Sequence, residues 1–234
     1  LHALTKKILD NYKKIYSVDT KAINDLINLY AYKNTTKDNW KKNLIEIIKY
    51  IDKIKSNGTP QFCRAARMAF IAKDFIKSFV DQNPKYKETC AELLSRVKTI
   101  SSDLQNDLFL TQNSKSRNRF FRKYGHLRPD TYNINNKRYD QMNNLLSKKT
   151  QWSTNGKKKT IGLDFKNQIN ITLKRLKLNH DYSSFMGFVD SSIKNREKYK
   201  FEYTKVLSGV IEMIADIGLI LGIKREDLAY IDYQ

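Results

Sequence analysis

The stretch Trp40-Lys-Lys-Asn-Leu-Ile-Glu-Ile-Ile-Lys-Tyr-Ile-Asp-Lys-Ile-Lys55 shows the pattern that most of this chain repeats. Its apolar residues recur at three- and four-residue intervals, which is the spacing of one face of an α-helix. They are Trp40, Leu44, Ile47, Ile48, Ile51 and Ile54. Only 8 glycines and 3 prolines occur in 234 residues, so such stretches continue with few interruptions. We therefore predict an all-α fold, a bundle of long packed helices.

The same periodicity predicts the positions of the individual helices. Asp19 and Thr20 are suited to cap a second helix, while Thr59 and Pro60 are suited to begin a third. We predict helices at 3–16, 20–32, 39–55, 59–80, 86–110, 114–123, 164–177, 181–200, 203–222 and 225–231, with a helical turn at 138–147. The polar segment 148–159 is predicted to be a mobile connection within a single domain that spans residues 1–234.

Composition narrows the class of protein. No apolar run approaches the ~20 residues that a membrane-spanning helix needs, so we expect no membrane partner. The two cysteines, Cys63 and Cys90, lie in helical patterns without the spacing of a metal site. We expect them to be buried thiols of a cytoplasmic protein, because reducing compartments keep thiols free.

The formal net charge of +20 and the sequence pI near 9.8 allow three interpretations. First, a basic domain can bind nucleic acid. Second, the charge reflects a lysine-rich composition without one dedicated surface. Third, the basic surface faces acidic neighbouring domains or ATP phosphates in a longer chain. We favour the second interpretation because the basic residues are spread over every predicted helix, and because lysine greatly outnumbers arginine, the residue on which base recognition depends most.

The segment around 124–137 is the candidate functional loop. It contains His126, one of three histidines in the chain, and Arg128, and these are flanked by Gly125 and Pro129. An imidazole can exchange a proton near neutral pH, and a guanidinium fits a carboxylate or a phosphate. The pair could therefore hold an anionic substrate. The alternative is a structural loop in which Arg128 ties the chain to a helix.

Two further basic clusters are candidates. Arg64 and Arg67 lie three residues apart in an otherwise apolar helix, so they form either an anion clamp or salt bridges. The expected salt-bridge partners are Asp103, Asp107 and Glu92. Arg196 and Lys200 lie one turn apart and form either part of a site or, with Glu197, a solvated charged face. Arg138 is expected to anchor the loop, and Tyr132 to line the same cavity.

Three segments resemble parts of one protein family. They are Tyr124-Gly-His-Leu-Arg-Pro-Asp-Thr-Tyr-Asn-Ile134 followed by Arg138-Tyr139, Gly58-Thr-Pro-Gln-Phe-Cys-Arg-Ala-Ala-Arg-Met-Ala-Phe-Ile-Ala-Lys73, and Arg196-Glu-Lys-Tyr-Lys-Phe-Glu-Tyr-Thr204. Together they resemble the central helical domain of phosphotransferases similar to phosphoenolpyruvate synthase and pyruvate phosphate dikinase, over about residues 55–234. The similarity is particularly to the capsule-associated branch that includes L-glutamine kinase. Asp130, Asn133 and Asn136 differ from the family's usual glycine, aspartate and nearby proline.

The resemblance implies a function for the chain as one part of a larger enzyme. Enzymes of this family carry an ATP-grasp domain before the helical domain and a swivelling phosphohistidine domain after it. ATP and Mg²⁺ are implied for the whole enzyme, with none bound by this chain alone, and a small amino acid is the implied substrate. The implied substrate-binding residues are His126, Arg128, Arg64, Arg67, Tyr132, Arg138, Arg196 and Lys200.

This interpretation makes the chain the substrate-binding part of a kinase that phosphorylates the side-chain amide of L-glutamine for capsular polysaccharide modification. His126 is a candidate for positioning or proton transfer, and no catalytic residue or metal ligand is predicted. The sequence has no glycine-rich phosphate loop, so we expect the chain alone to be inactive as a kinase. Two alternatives stay open: a basic helical nucleic-acid-binding domain, and a structural connector between catalytic domains.

Overall fold

The computed structural model describes residues 2–30, 35–111, 113–142 and 161–231. These ranges contain α-helices and 3-10 turns and no β-strand, so the predicted all-α fold is confirmed. The helices are α1 His2–Leu29, α2 Trp40–Asn57, α3 Thr59–Gln82, α4 Lys87–Ser95, α5 Ile100–Phe109, α6 Ser114–Tyr124, α7 Leu163–Arg175 and α8 Tyr182–Ile220. The 3-10 turns are Pro84–Tyr86, Tyr139–Gln141 and Asp227–Tyr230. The predicted connection at 148–159 lies outside the described residues.

Helix α8 is the centre of the fold. It runs for 39 residues, and α1, α2 and α3 pack along it. Its aromatic residues face two sides. Tyr199 and Tyr203, one turn apart, lie in the main core, whereas Phe201 packs with Phe120 and Tyr124 in a second, smaller cluster. The same stretch of α8 therefore supports both the helical bundle and the end of α6, where the candidate loop begins.

Two of the predicted helix boundaries are wrong, and burial explains both. We predicted a break at Asp19, but α1 continues through it. Asp19 is 1% exposed and pairs with Arg64, whose Nη2 lies 2.5 Å from Oδ1. We also predicted a break between residues 200 and 203, but α8 is continuous there because Phe201 and Tyr203 are both buried against other elements.

The long helix predicted at 86–110 is divided in the structure. Helix α4 ends at Ser95, and α5 begins after Thr99. Thr99 accepts a hydrogen bond from the Ser102 amide, and its own amide donates to the Ser102 side chain at 2.9 Å. This reciprocal cap satisfies the first amides of α5, which favours starting a new helix over extending the old one. None of the helices in the described ranges combines the length and apolar character that a membrane crossing requires.

A close contact between α1 and α8 gives a test of this packing. A Cβ built on Gly209 would lie 1.5 Å from the Tyr30 hydroxyl oxygen and 2.4 Å from the ring carbon that carries it. We expect Gly209→Ala to lower the free energy of unfolding by about 1–3 kcal/mol, the usual cost of overpacking. Gly187→Ala is the control, since its Cβ would meet only the Tyr12 hydroxyl, at 3.1 Å. Urea unfolding should show a lower free energy of unfolding for Gly209→Ala but not for Gly187→Ala. Equal free energies of unfolding for the two variants would contradict this packing.

Candidate functional site

A buried glutamate anchors the candidate loop to α8. Glu212 is 7% exposed, and Arg128 reaches it from the loop with Nη2 2.5 Å from Oε1. Arg225, which follows α8, places its own Nη2 2.5 Å from the same oxygen. Gln141, at the end of the loop, donates to the other oxygen at 2.9 Å. Three groups from separate segments therefore converge on one carboxylate.

The other guanidinium nitrogens of Arg128 also donate hydrogen bonds within the protein. Its Nε donates to Ser208 Oγ at 3.1 Å, and its Nη1 donates to the Asn136 carbonyl. Arg225 Nε donates to the Ile134 carbonyl at 2.6 Å. Because Arg128 is buried and its donors are used inside the chain, its geometry is that of a loop anchor, the structural alternative stated above.

The charge state of Glu212 follows from these contacts. Burial alone would raise the pKa of its carboxyl, since a low dielectric disfavours the charged form. The hydrogen bonds from Arg225, Gln141 and Arg128 outweigh burial and lower the pKa of Glu212 to about 2. Burial in turn lowers the pKa of the Arg128 guanidinium, and Glu212 opposes that shift. The carboxylate is therefore ionised throughout the physiological range.

The loop is closed by further bonds across its ends. The Tyr139 amide donates to the Leu127 carbonyl at 2.8 Å. Tyr132 and Tyr203 share a hydrogen bond between their hydroxyls at 2.6 Å. Tyr132 is otherwise exposed and does not line the cavity described below, although it borders a second groove beside the C-terminal 3-10 turn.

His126 is buried and held rigidly. The residue is 6% exposed, and its ring lies edge-on to Phe201 with centroids 4.8 Å apart. Among the described residues its buried Nε2 has no partner with full hydrogen-bond geometry, although backbone groups of Phe201 and Lys123 interact with the ring and favour its charged form. Burial, reinforced by the positive charge of Lys205, lowers the pKa of His126 to about 4, so the ring is neutral at pH 7. A buried polar atom without a protein partner is uncommon and is often satisfied by an ordered water.

His126 lies in the wall of an open cavity of about 450 Å³. Its walls come from α1, α6, the loop and α8, and are formed by Tyr30, Phe121, Arg122, His126, Arg138, Asp140, Gln141, Lys205, Gly209 and Glu212. Arg138 pairs with Asp140 at 2.6 Å, and Glu212 is neutralised as described. Arg122 and Lys205 have no ion-pair partner among the described residues. The cavity thus has excess positive charge and suits an anionic ligand.

Sequence analysis identified two of the residues in this cavity, His126 and Arg138. It missed Lys205, Arg122 and Glu212. Glu212 could have been identified from the sequence, because an acidic residue that interrupts the apolar run of a buried helix needs a cationic partner. Nothing in the sequence separates Lys205 or Arg122 from the other lysines and arginines, because only the folded geometry brings them next to His126.

The other predicted site residues lie elsewhere. Arg64 pairs with Asp19 on α1, so the expected partners on α4 and α5 are wrong. Two of the expected acidic partners pair with other residues: Asp107 pairs with Lys123, and Glu92 pairs with Arg96. Neither Arg64 nor Arg67 lines the cavity, so the structure does not bring them together there with His126 and Arg138.

The cluster at 196–200 is also separate from the cavity. The Arg196 guanidinium lies 5.6 Å above the Phe70 ring, and Glu197 accepts a hydrogen bond from the Ser101 amide at 3.0 Å. Lys200 is exposed. These contacts are those of a surface that packs α8 against α3 and α5, and neither Arg196 nor Lys200 lines the cavity.

The described residues contain no group of histidine, cysteine, aspartate and glutamate side chains that could hold a metal ion. Both cysteines are free thiols: Cys90 is buried as expected, but Cys63 is exposed, contrary to expectation. No protein-family model, no curated protein and no solved structure matches the chain. The geometry of the cavity is therefore the main basis for a functional proposal.

The anchoring role of Glu212 predicts unequal effects within the network. Glu212→Gln should lower the free energy of unfolding by about 3–5 kcal/mol, because it leaves the Arg128 charge buried without a counter-charge. Arg225→Gln should cost about 1 kcal/mol or less, because the Arg225 side chain is 34% exposed and Glu212 keeps Arg128. Urea unfolding at neutral pH measures both values. Equal costs for the two variants would contradict the central position of Glu212.

The lowered pKa of His126 predicts a pH dependence of stability. The unfolded chain, with a histidine pKa near 6.5, binds a proton more readily than the folded chain, with a pKa of about 4. The contribution of His126 is therefore complete above pH 6.5 and is lost as pH falls toward 4. The free energy of unfolding should fall below pH 6.5 with a slope of up to about 1.4 kcal/mol per pH unit.

Comparison of wild type with His126→Gln between about pH 7 and pH 5 checks this, because the ordinary pKa of Glu212 lies below that window, at 4.5. The free energy of unfolding of the wild type should fall across this range. The fall should be smaller in His126→Gln, because the variant lacks the contribution of His126. Identical pH profiles for the two proteins would show that His126 is not held neutral in the folded state.

Proposed function

We propose that this chain is the substrate-side helical domain of an ATP-dependent phosphohistidine-type kinase, and that the cavity beside His126 holds the amino acid that accepts the phosphoryl group. One observation carries the proposal: the loop whose sequence resembles the family motif lies in the wall of a cationic cavity that His126 and Arg138 help to line. Of the eight substrate-binding residues that the resemblance implies, two line this cavity, His126 and Arg138.

The charges in the cavity fit an amino acid. Lys205 and Arg122 are placed to bind a carboxylate or a transferred phosphoryl group. Asp140 lies in the same wall, but Arg138 binds both of its carboxylate oxygens. His126, being neutral, would contact the substrate as part of the cavity wall and not as a charge.

L-Glutamine is the substrate that the resemblance favours, and its side-chain amide can pair with a neutral imidazole. The work of such a site in phosphoryl transfer is positioning and charge stabilisation, which Lys205 and Arg122 can supply. The ATP-grasp and phosphohistidine domains of the same polypeptide would supply the phosphoryl group, and ATP with Mg²⁺ would bind there. The residues of this chain would bind and orient the acceptor.

Calorimetric titration of the chain with L-glutamine tests the proposal. Lys205→Gln should weaken binding at least about tenfold, since a hydrogen bond to a charged group contributes roughly 1.5–3 kcal/mol. Lys200→Gln is a matched control, because it removes the same charge from the same helix about one turn away and outside the cavity. It should leave the affinity unchanged.

Two results would contradict the proposal. The first is binding that both variants weaken equally, which would reflect general charge. The second is absence of glutamine binding together with salt-sensitive binding of random duplex DNA, which would favour the nucleic-acid alternative. Absence of both kinds of binding would favour the structural connector.

A further inference from the structure

Helix α6 carries a row of positive charge that leads into the cavity. Its sequence, Ser114-Lys-Ser-Arg-Asn-Arg-Phe-Phe-Arg-Lys-Tyr124, contains five cationic residues and no acidic one. Lys115, Arg119 and Arg122 follow one another at intervals of four and three residues, so they lie along one face. All three are exposed, and Arg122 also lines the cavity. We call these three residues the α6 stripe.

Arg122 lies in the last turn of α6, where the helix dipole favours positive charge, but Lys115 and Arg119 have no such position. Lys115 lies in the first turn, where the helix dipole disfavours positive charge, and the turn has no acidic residue. Like charges at three- and four-residue spacing repel one another. None of the three residues has an ion-pair partner in the part of the chain that the structure describes, although Asp107 lies near Arg119 and is bound to Lys123 and Tyr124. Helix stability alone therefore does not explain the exposed charges of Lys115 and Arg119.

A ligand with several negative charges provides an explanation. From Lys115 to Arg122 the helix rises by about 10 Å, which is longer than a single phosphate group. Arginine side chains present a planar fork that fits phosphate oxygens. At its inner end the stripe meets the cavity, which Arg122 and His126 both line, so a ligand there can continue outward along α6.

We propose that the α6 stripe is a second anion subsite, which binds a chain of linked phosphates extending outward from the cavity. The ligand class is a nucleoside diphosphate or triphosphate, or an inorganic polyphosphate. This proposal rests on the proposed function in one respect, since it takes the cavity as the place of the first anionic group. The stripe adds the outer phosphates, which the cavity alone does not reach.

Titration of the chain with sodium tripolyphosphate and with orthophosphate, at equal ionic strength, tests the subsite. Tripolyphosphate should bind at least about tenfold more tightly than orthophosphate. In the double variant Lys115→Gln/Arg119→Gln this advantage should disappear, while the affinity for orthophosphate is retained. The melting temperature should stay the same or rise, because the variant removes mutual repulsion.

The control is Lys73→Gln/Lys77→Gln, which removes two exposed lysines one turn apart on α3, away from the cavity. It should keep the preference for tripolyphosphate. An equal loss in both double variants would overturn the proposal, because the preference would then follow net charge. Binding of random duplex DNA that is tighter than tripolyphosphate binding and depends on the stripe would also overturn it, in favour of a nucleic-acid surface.

The two proposals can fail separately. If orthophosphate and glutamine bind but tripolyphosphate shows no advantage, the stripe is not a subsite and the cavity proposal stands. If tripolyphosphate binds through the stripe while glutamine does not bind, the substrate proposal fails and the phosphate subsite stands. A nucleoside triphosphate used as a third probe should bind at least as tightly as tripolyphosphate, and weaker binding would contradict a nucleotide ligand.

Discussion

One buried carboxylate determines how the candidate site is held. Glu212 lies inside α8 and receives Arg128 from the loop, Gln141 from the end of the loop and Arg225 from the segment after α8. A buried charge is tolerated only when it is paired and hydrogen-bonded, so each of these segments is fixed by the need to satisfy the same group. The position of the loop is therefore a consequence of the electrostatics of α8.

This anchoring divides the charged residues into two groups. Arg128 and Arg225 are committed to Glu212, and Arg138 is committed to Asp140, so these contacts hold the backbone in place. Lys205 and Arg122 have no ion-pair partner among the described residues, and they line the same cavity as His126. The structure thus separates groups that build the site from groups that are available to a ligand.

The sequence predicted the fold class well and the site only in part. Helical periodicity depends on local spacing, so most helices, including α2 and α3, lie close to where they were predicted. The predicted boundaries were wrong where tertiary burial determined where a helix ends. Asp19, for example, is polar and resembles a helix cap, but it is buried against Arg64. The loop motif identified His126 and Arg138. Lys205 and Arg122 could not be identified, because many lysines and arginines look alike until the fold brings a few together.

The most direct test of this account is nitrogen-detected NMR of the imidazole of His126 during titration with L-glutamine. The account predicts a neutral ring at pH 7 whose Nε2 resonance shifts and saturates with the same dissociation constant as calorimetry gives. The histidine resonances from outside the cavity should not move. An Nε2 resonance that stays unchanged while glutamine binds, or a ring that is protonated at pH 7, would contradict the claim that this cavity is the ligand site.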